Sequence, residues 1–231
     1  MITFTRARTE TTVRVERTAD GARVRVTTDA RGGPDRPTIR PVIVESGPAS
    51  ATVSLVPEGA LLLGGDDVRI AVQVGAGVTL RLIEPAGTVA YDMRGGAARW
   101  LVDIDIAAGG ALTWLGEPFV AAAGSDTTWT ATITLAPDAR LWLRETLVLG
   151  RHGELPGRMR HHVEARVGGV AKLVDAIDVG PGTPAYVLGG HRVIGSTLMF
   201  GCDDPSVGGT RFELEGGGVL VRCLADEMHL L

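Results

Sequence analysis

Three glutamates occupy comparable places, each at or near the end of an alternating apolar run: Glu84 in "VTLRLIEP", Glu117 in "LTWLGEP" and Glu145 in "LWLRETLVLGR". Alternate side chains of a β-strand share a face. Glu145 therefore shares one with Leu141, Leu143, Leu147 and Leu149, and Glu84 shares one with Val78, Leu80 and Leu82. A carboxylate on such a face is expensive unless it is paired, hydrogen-bonded, hydrated or protonated. Carboxylates placed this way can hold and pass on a divalent cation through oxygen ligands. They can also act as acid, base or nucleophile on a glycosidic bond, provided two of them face one cleft. Glu117 has the opposite parity to Leu112 and Trp114, and a bulge near Gly116 would bring it back into the row. Asp66, in "LLLGGDD", is a fourth candidate oxygen donor, although an aspartate after two glycines also suits a turn. The plainer reading is that each glutamate meets water or an arginine where its strand leaves the sheet; Arg144, Arg151, Arg158 and Arg160 are the candidate partners of Glu145.

Other chemistry is sparse. His161 and His162 are adjacent, so on a strand they face opposite ways and do not chelate one ion together. His229, near Cys223 and Glu227, reads as a surface histidine. No glycine-rich loop carries a phosphate-binding lysine, and no G-x-S-x-G element or cysteine–histidine signature supplies a nucleophile. Trp100, Trp114, Trp129 and Trp142 lack an accompanying basic groove and read as core or interface. This inventory favours a binding or scaffolding protein over an enzyme.

The elements that must position the glutamates are strands. Glycine (32) and proline (12) punctuate short runs of Val, Ile, Leu and Thr over 231 residues, the texture of an all-β protein. "TTVRVERT" and "ARVRVTT" flank Asp20-Gly21 as a hairpin; a turn-rich "DARGGPDRP" follows, then strand-like "TIRPVIVESG" and "ASATVSLV". A weak repeat occupies 70–85, 102–118 and 130–145, each copy a strand, a tight turn and a second strand. The turns at Val74, Ile106 and Leu135 recur after 32 and 29 residues. Such units bury their faces by stacking, which predicts stacked hairpins in layered sheets or a β-helix-like body, with at most a few short helices. The chain reads as a single domain over 1–231, its repeat core at about 60–150.

Composition bounds the partners. Hydrophobic residues make up 45%, charged residues 22%, and the net charge is −4, which argues against a nucleic-acid binder. No apolar stretch is long enough for a membrane span, and "MITFTRARTE" has no signal-peptide core. Two lone cysteines, Cys202 and Cys223, suggest a reducing, cytoplasmic setting and free thiols, with a single disulfide between them the less favoured alternative.

Read in order, the motifs resemble the urease accessory protein UreD family, also called UreH, in the short form found in actinobacteria. "EGALLLGGDDVRIAVQVGAGVTLRL" is similar to the family's glycine-flanked segment and following strand and turn. "EPAGTVAY", "ALTWLGEPFV", "LAPDARLWLRETLVLGR", "ELPGRMRHHVEA" and "LGGHRVIGSTLM" match further segments in sequence. Val89 replaces the family's lysine and Glu84 its threonine. The resemblance implies a cytoplasmic, non-catalytic, all-β scaffold that binds urease apoprotein and UreF, through which the GTPase UreG is recruited. It implies nickel delivery to urease, with no tightly bound cofactor and at most transient Ni²⁺ in an internal polar tunnel. Glu84, Glu117, Glu145 and Asp66 would be candidate lining, and Tyr91, Arg151 and Arg158 candidate structural or partner residues. Two other classes stay open: a carbohydrate-active β-helix enzyme using paired glutamates, and a non-catalytic β-module that binds some other protein.

Overall fold

The computed structural model describes residues 7–230 other than 22, 33–37 and 203. The last five residues of the turn-rich "DARGGPDRP", and most of the N-terminal stretch read for a signal peptide, lie outside the described residues. Seventeen strands account for most of the rest. In chain order they are β1 (Ala7–Arg17), β2 (Val24–Arg31), β3 (Thr38–Ser46), β4 (Ser50–Glu58), β5 (Asp66–Val74) and β6 (Thr79–Ile83). Next come β7 (Thr88–Ala90), β8 (Ala98–Ile106), β9 (Ala111–Leu115), β10 (Phe119–Ala121), β11 (Asp126–Leu135) and β12 (Arg140–Leu149). The last are β13 (Arg158–Val167), β14 (Val170–Val179), β15 (Val193–Phe200), β16 (Thr210–Glu213) and β17 (Val219–Ala225). Among the described residues helix is confined to one turn, Ala185–Leu188, and a 3₁₀ turn at Met228–Leu230.

Two sheets face each other. One has the order β14-β13-β11-β8-β5-β1-β2, the other β16-β17-β15-β12-β9-β6-β4-β3, with β10 beside β12 and β7 beside β10. At the centre of each sheet the strands run parallel, because each repeat sends its first strand into one sheet and its second into the other. Val74 pairs with Ile106 and Ile106 with Leu135, so the repeat spacings of 32 and 29 are the ladder register itself. On the opposite sheet Leu80, Leu112 and Leu141 form the matching row. The units are therefore coils that cross between sheets, the β-helix-like alternative, and not hairpins closed on themselves.

Alternation decides what each coil buries. In β8, Ala98, Trp100, Val102, Ile104 and Ile106 are buried while Asp103 and Asp105 turn outward; Asp103 accepts from Arg69 Nε at 2.7 Å. One apolar core runs between the sheets from Val13 to Leu220, and each fully buried Leu or Ile contributes about 1.5–3 kcal/mol. Trp100, Trp114 and Trp129 belong to this core.

A fourth rung begins on the same plan: β13 lies parallel to β11, with Leu135 opposite Val167. It ends differently. Gly168 and Gly169 both have positive φ, 56° and 82°, the requirement of a tight two-residue hairpin turn. The chain folds back as β14 within the same sheet, with Val167 opposite Val170. The coil series stops there, and the second sheet is completed by β15, antiparallel to β12, and β17, antiparallel to β15.

Candidate functional site

The register places Glu84, Gly116 and Glu145 at one level of the second sheet, because Leu82, Trp114 and Leu143, two residues before each, are aligned rung to rung. Gly116 lies close against the neighbouring rung: its N–H donates to Arg144 O at 2.9 Å. A Cβ there would stand 2.8 Å from the same oxygen, so only glycine allows this approach. Two rungs at 4.7–4.9 Å each separate the backbones of Glu84 and Glu145 by roughly 10 Å.

Glu84 is held by two donors. Trp114 Nε1–H donates to its Oε1 at 2.7 Å, and the Glu117 backbone N–H donates to its Oε2 at 3.0 Å. Burial raises its pKa above the usual carboxylate range; the two hydrogen bonds oppose the rise, and the neighbouring carboxylates of Glu117 and Glu145 add to it. Glu117 thus enters the site through its backbone. Its own side chain is exposed, because the chain at Gly116 leaves the strand and no bulge turns Glu117 inward. Of the three glutamates expected in one row, Glu84 and Glu145 turn inward, and Glu117 borders the same small cavity while most of its side chain stays exposed.

Glu145 has no arginine partner among the described residues. Arg151 pairs with Glu154 (Nε to Oε1, 2.9 Å), Arg158 approaches Asp178 at 4.0 Å, and Arg160 bonds Asp126 and Thr128; Arg144 is exposed. Arg158 and Arg160 miss Glu145 because they alternate with the inward-facing Met159 and His161 and so occupy the outer face of β13. Glu145 instead meets His161, with Oε2 and Nε2 3.2 Å apart. His161 is 1% exposed at the side chain and Glu145 13%. The His161 ring stacks on Trp129 with centroids 4.4 Å apart. Alternation of Met159, His161, Val163 and Ala165 identifies His161 as the inward member of the histidine pair. Glu145 Oε1 and His161 Nδ1 are buried without a hydrogen-bond partner.

Around these groups lies a cavity of about 40 Å³, bordered by Glu84, Glu145, Trp100, Trp114, Trp129 and Phe119 among others. At roughly 10–15 Å³ per water it has room for about three. Glu84 also borders a space of about 10 Å³ toward Ile39 and Ile70, and Glu145 one of about 10 Å³ toward Asp175 and Arg222. Arg222, paired with Asp175 at 2.7 Å, borders in turn a surface pocket of about 220 Å³ beside Val187 and Leu188. Successive spaces share Glu84, Glu145 and Arg222. On the outer side, Gly116, Glu117, Arg144 and Thr146 also line a groove of about 660 Å³ under Ser206 and Gly208.

The remaining candidates lie apart. Asp66 caps a loop, its Oδ2 accepting from Leu63 N–H at 2.9 Å, and borders none of these spaces. Tyr91 is exposed and its backbone N–H donates to Leu62 O at 3.3 Å. Arg151 holds Glu154, whose pKa falls to about 2 under that hydrogen bond. Arg192 ties the same segment through the carbonyls of Leu149, Arg151 and Glu154. Cys202 and Cys223 form no disulfide, and Cys202 Sγ–H donates to Leu141 O at 3.1 Å. A paired-glutamate glycosidase needs an open cleft, yet the two interior carboxylates share a space far below the roughly 300–1,000 Å³ of ligand pockets. Among the described residues, Glu117 is the acidic residue that lines the large groove.

Fold and site define a body of stacked β-coils between two sheets, with Glu84 and Glu145 turned toward one small interior cavity. A profile described as UreD urease accessory protein matches residues 7–231, and the chain belongs to that family. It is 41% identical over 183 residues to urease accessory protein UreD 1 of Streptomyces griseus, covering 76% of this chain and 70% of the relative. It is 38% identical over 198 residues to urease accessory protein UreD of Streptomyces avermitilis, covering 79% of each. With urease accessory protein UreD of Streptomyces coelicolor it shares 34% over 231 residues, 89% of each chain.

Proposed function

We propose that this protein is a cytoplasmic urease-maturation scaffold that binds urease apoprotein and UreF, and through UreF the GTPase UreG, and that Ni²⁺ bound for the urease active site passes through its interior. The observation that supports the passage is the succession of small cavities that share Glu84 and Glu145 as lining residues inside a largely apolar core. Carboxylate oxygens and water suit a cation in transit, since a closed thiolate or imidazole set would retain it. Room for water beside the two carboxylates would also offset the penalty of placing charge there. Exposed apolar side chains on the edge strand β3 (Val42, Ile43, Val44) and at Tyr186, Val187 and Leu224 offer contact surface to protein partners.

The test is complementation. A strain lacking this chain, with the urease subunits and other accessory proteins intact, is supplied with the parent or Glu145→Gln protein. Expected is low urease nickel content with the variant at equal accessory-protein abundance and equal capture by UreF. Urease that loads fully without this chain would refute the maturation role. Full loading with Glu145→Gln would refute the passage.

A further inference from the structure

The two interior glutamates are not equivalent. Both oxygens of Glu84 accept a hydrogen bond, from Trp114 and from the Glu117 backbone. Glu145 has one oxygen engaged, Oε2 by His161, and one buried without a partner, Oε1. A buried, unpartnered carboxylate oxygen is costly, and it lies on a residue that borders two adjoining cavities. The histidine is itself fixed: its ring is buried, stacked on Trp129, and placed by the parallel pairing of β13 with β11, in which Trp129 lies opposite His161. Since a carboxylate accepts, Nε2 carries the proton in this contact.

We infer that His161 is the positioning residue of the passage: its Nε2–H holds Glu145 Oε2 and thereby leaves Oε1 as the oxygen presented to a partly hydrated divalent cation. This rests on the reading of Glu145 as a station for Ni²⁺. The neighbouring cavity has room for the few waters that would complete the ion's coordination. Hydrogen-bonded partners of a ligand set its orientation, and without the imidazole the carboxylate would be free to rotate. His161 acts on the ion through Glu145 and need not touch it.

The experiment measures Ni²⁺ binding to the full chain by equilibrium dialysis, with melting curves as the control for folding. The variants are Glu145→Gln, His161→Phe, His161→Asn and His161→Gln. Phenylalanine keeps the stack on Trp129 and removes the donor; asparagine places its amide near Nδ1, short of the carboxylate; glutamine restores a donor near Nε2. Expected is a loss of about 10–100-fold in affinity for His161→Phe and His161→Asn, with His161→Gln within about threefold of the parent. Should His161→Phe fail to fold, the asparagine–glutamine pair decides. If Glu145→Gln loses binding while His161→Phe and His161→Asn keep it, the positioning role is overturned and the passage stands. If His161→Gln binds as weakly as His161→Phe, positioning through the donor is overturned. If Glu145→Gln binds as the parent does, Glu145 is no station and both readings fall.

Discussion

Replacing Glu145 by leucine and His161 by phenylalanine together should make this protein more stable, although each change alone should make it less so. Glu145→Leu removes a buried carboxylate but leaves both nitrogens of a 1% exposed histidine without partners, at about 1–3 kcal/mol. His161→Phe leaves a carboxylate 13% exposed at the side chain with neither oxygen paired, at about 3 kcal/mol, the low end for breaking a buried pair. The double variant removes both penalties and puts two apolar side chains among Trp129, Leu143 and Leu147. Replacing a buried ion pair by packed apolar groups is neutral to stabilising by about 1–4 kcal/mol. Taking about 2 kcal/mol, and roughly 2–4 °C per kcal/mol for a chain of this length, Tm should rise by about 4–8 °C. Thermal melts of the four proteins, with urea titrations to confirm an unchanged slope, complete the cycle. A double variant that melts below the parent by the sum of the single losses would refute the reasoning, because it would mean that the pair sustains the fold.

The raised pKa of Glu84 has a pH signature. Its folded value lies above its unfolded one, so the folded state binds more protons between the two values and stability falls as pH rises through that window. The penalty is fully present above the folded pKa and absent below about 4.5; relative to Glu84→Gln, the parent should therefore gain Tm as pH is lowered from 7 toward 4.5, and a constant difference would contradict the burial assigned to this group. Gly116→Ala should lower stability by about 1–3 kcal/mol, because its Cβ would lie 2.8 Å from Arg144 O. It should also displace the Glu117 N–H from Glu84, so urea midpoints and nickel loading should fall together; an unchanged midpoint would show that the rungs separate without strain.

Much of this architecture is legible in the sequence because parallel coils write their register into it. The recurrences of Val74, Ile106 and Leu135 are the actual ladder pairs, and the same arithmetic aligns Glu84 with Glu145. The fourth rung is hidden because Gly168-Gly169 turns the chain back at once, so no second strand continues the pattern. Glu117 misleads because backbone geometry at Gly116 decides where its side chain goes, and composition does not carry that. His161 is legible in principle: it shares parity with Met159, Val163 and Ala165, and it stands 32 residues after Trp129, matching the coil spacing. Adjacency to His162 rules out joint chelation, but that consideration is silent on a histidine acting alone with a carboxylate from the facing sheet. The arginine assignments fail for a related reason, since Arg158 and Arg160 belong to the outer face of the same strand.

The glycine pair that ends the coil series also fixes how many coils stack between the sheets. Each coil adds one rung of roughly 4.8 Å and occupies about thirty residues, so the length of the stack changes only in whole steps. A residue inserted within β8 or β11 would turn the remainder of that strand inside out, whereas one added to a rim segment such as 91–97 would leave the ladder intact. The rims can therefore change in length while the distance between Glu84 and Glu145 stays set by counting rungs, a ruler built into the backbone.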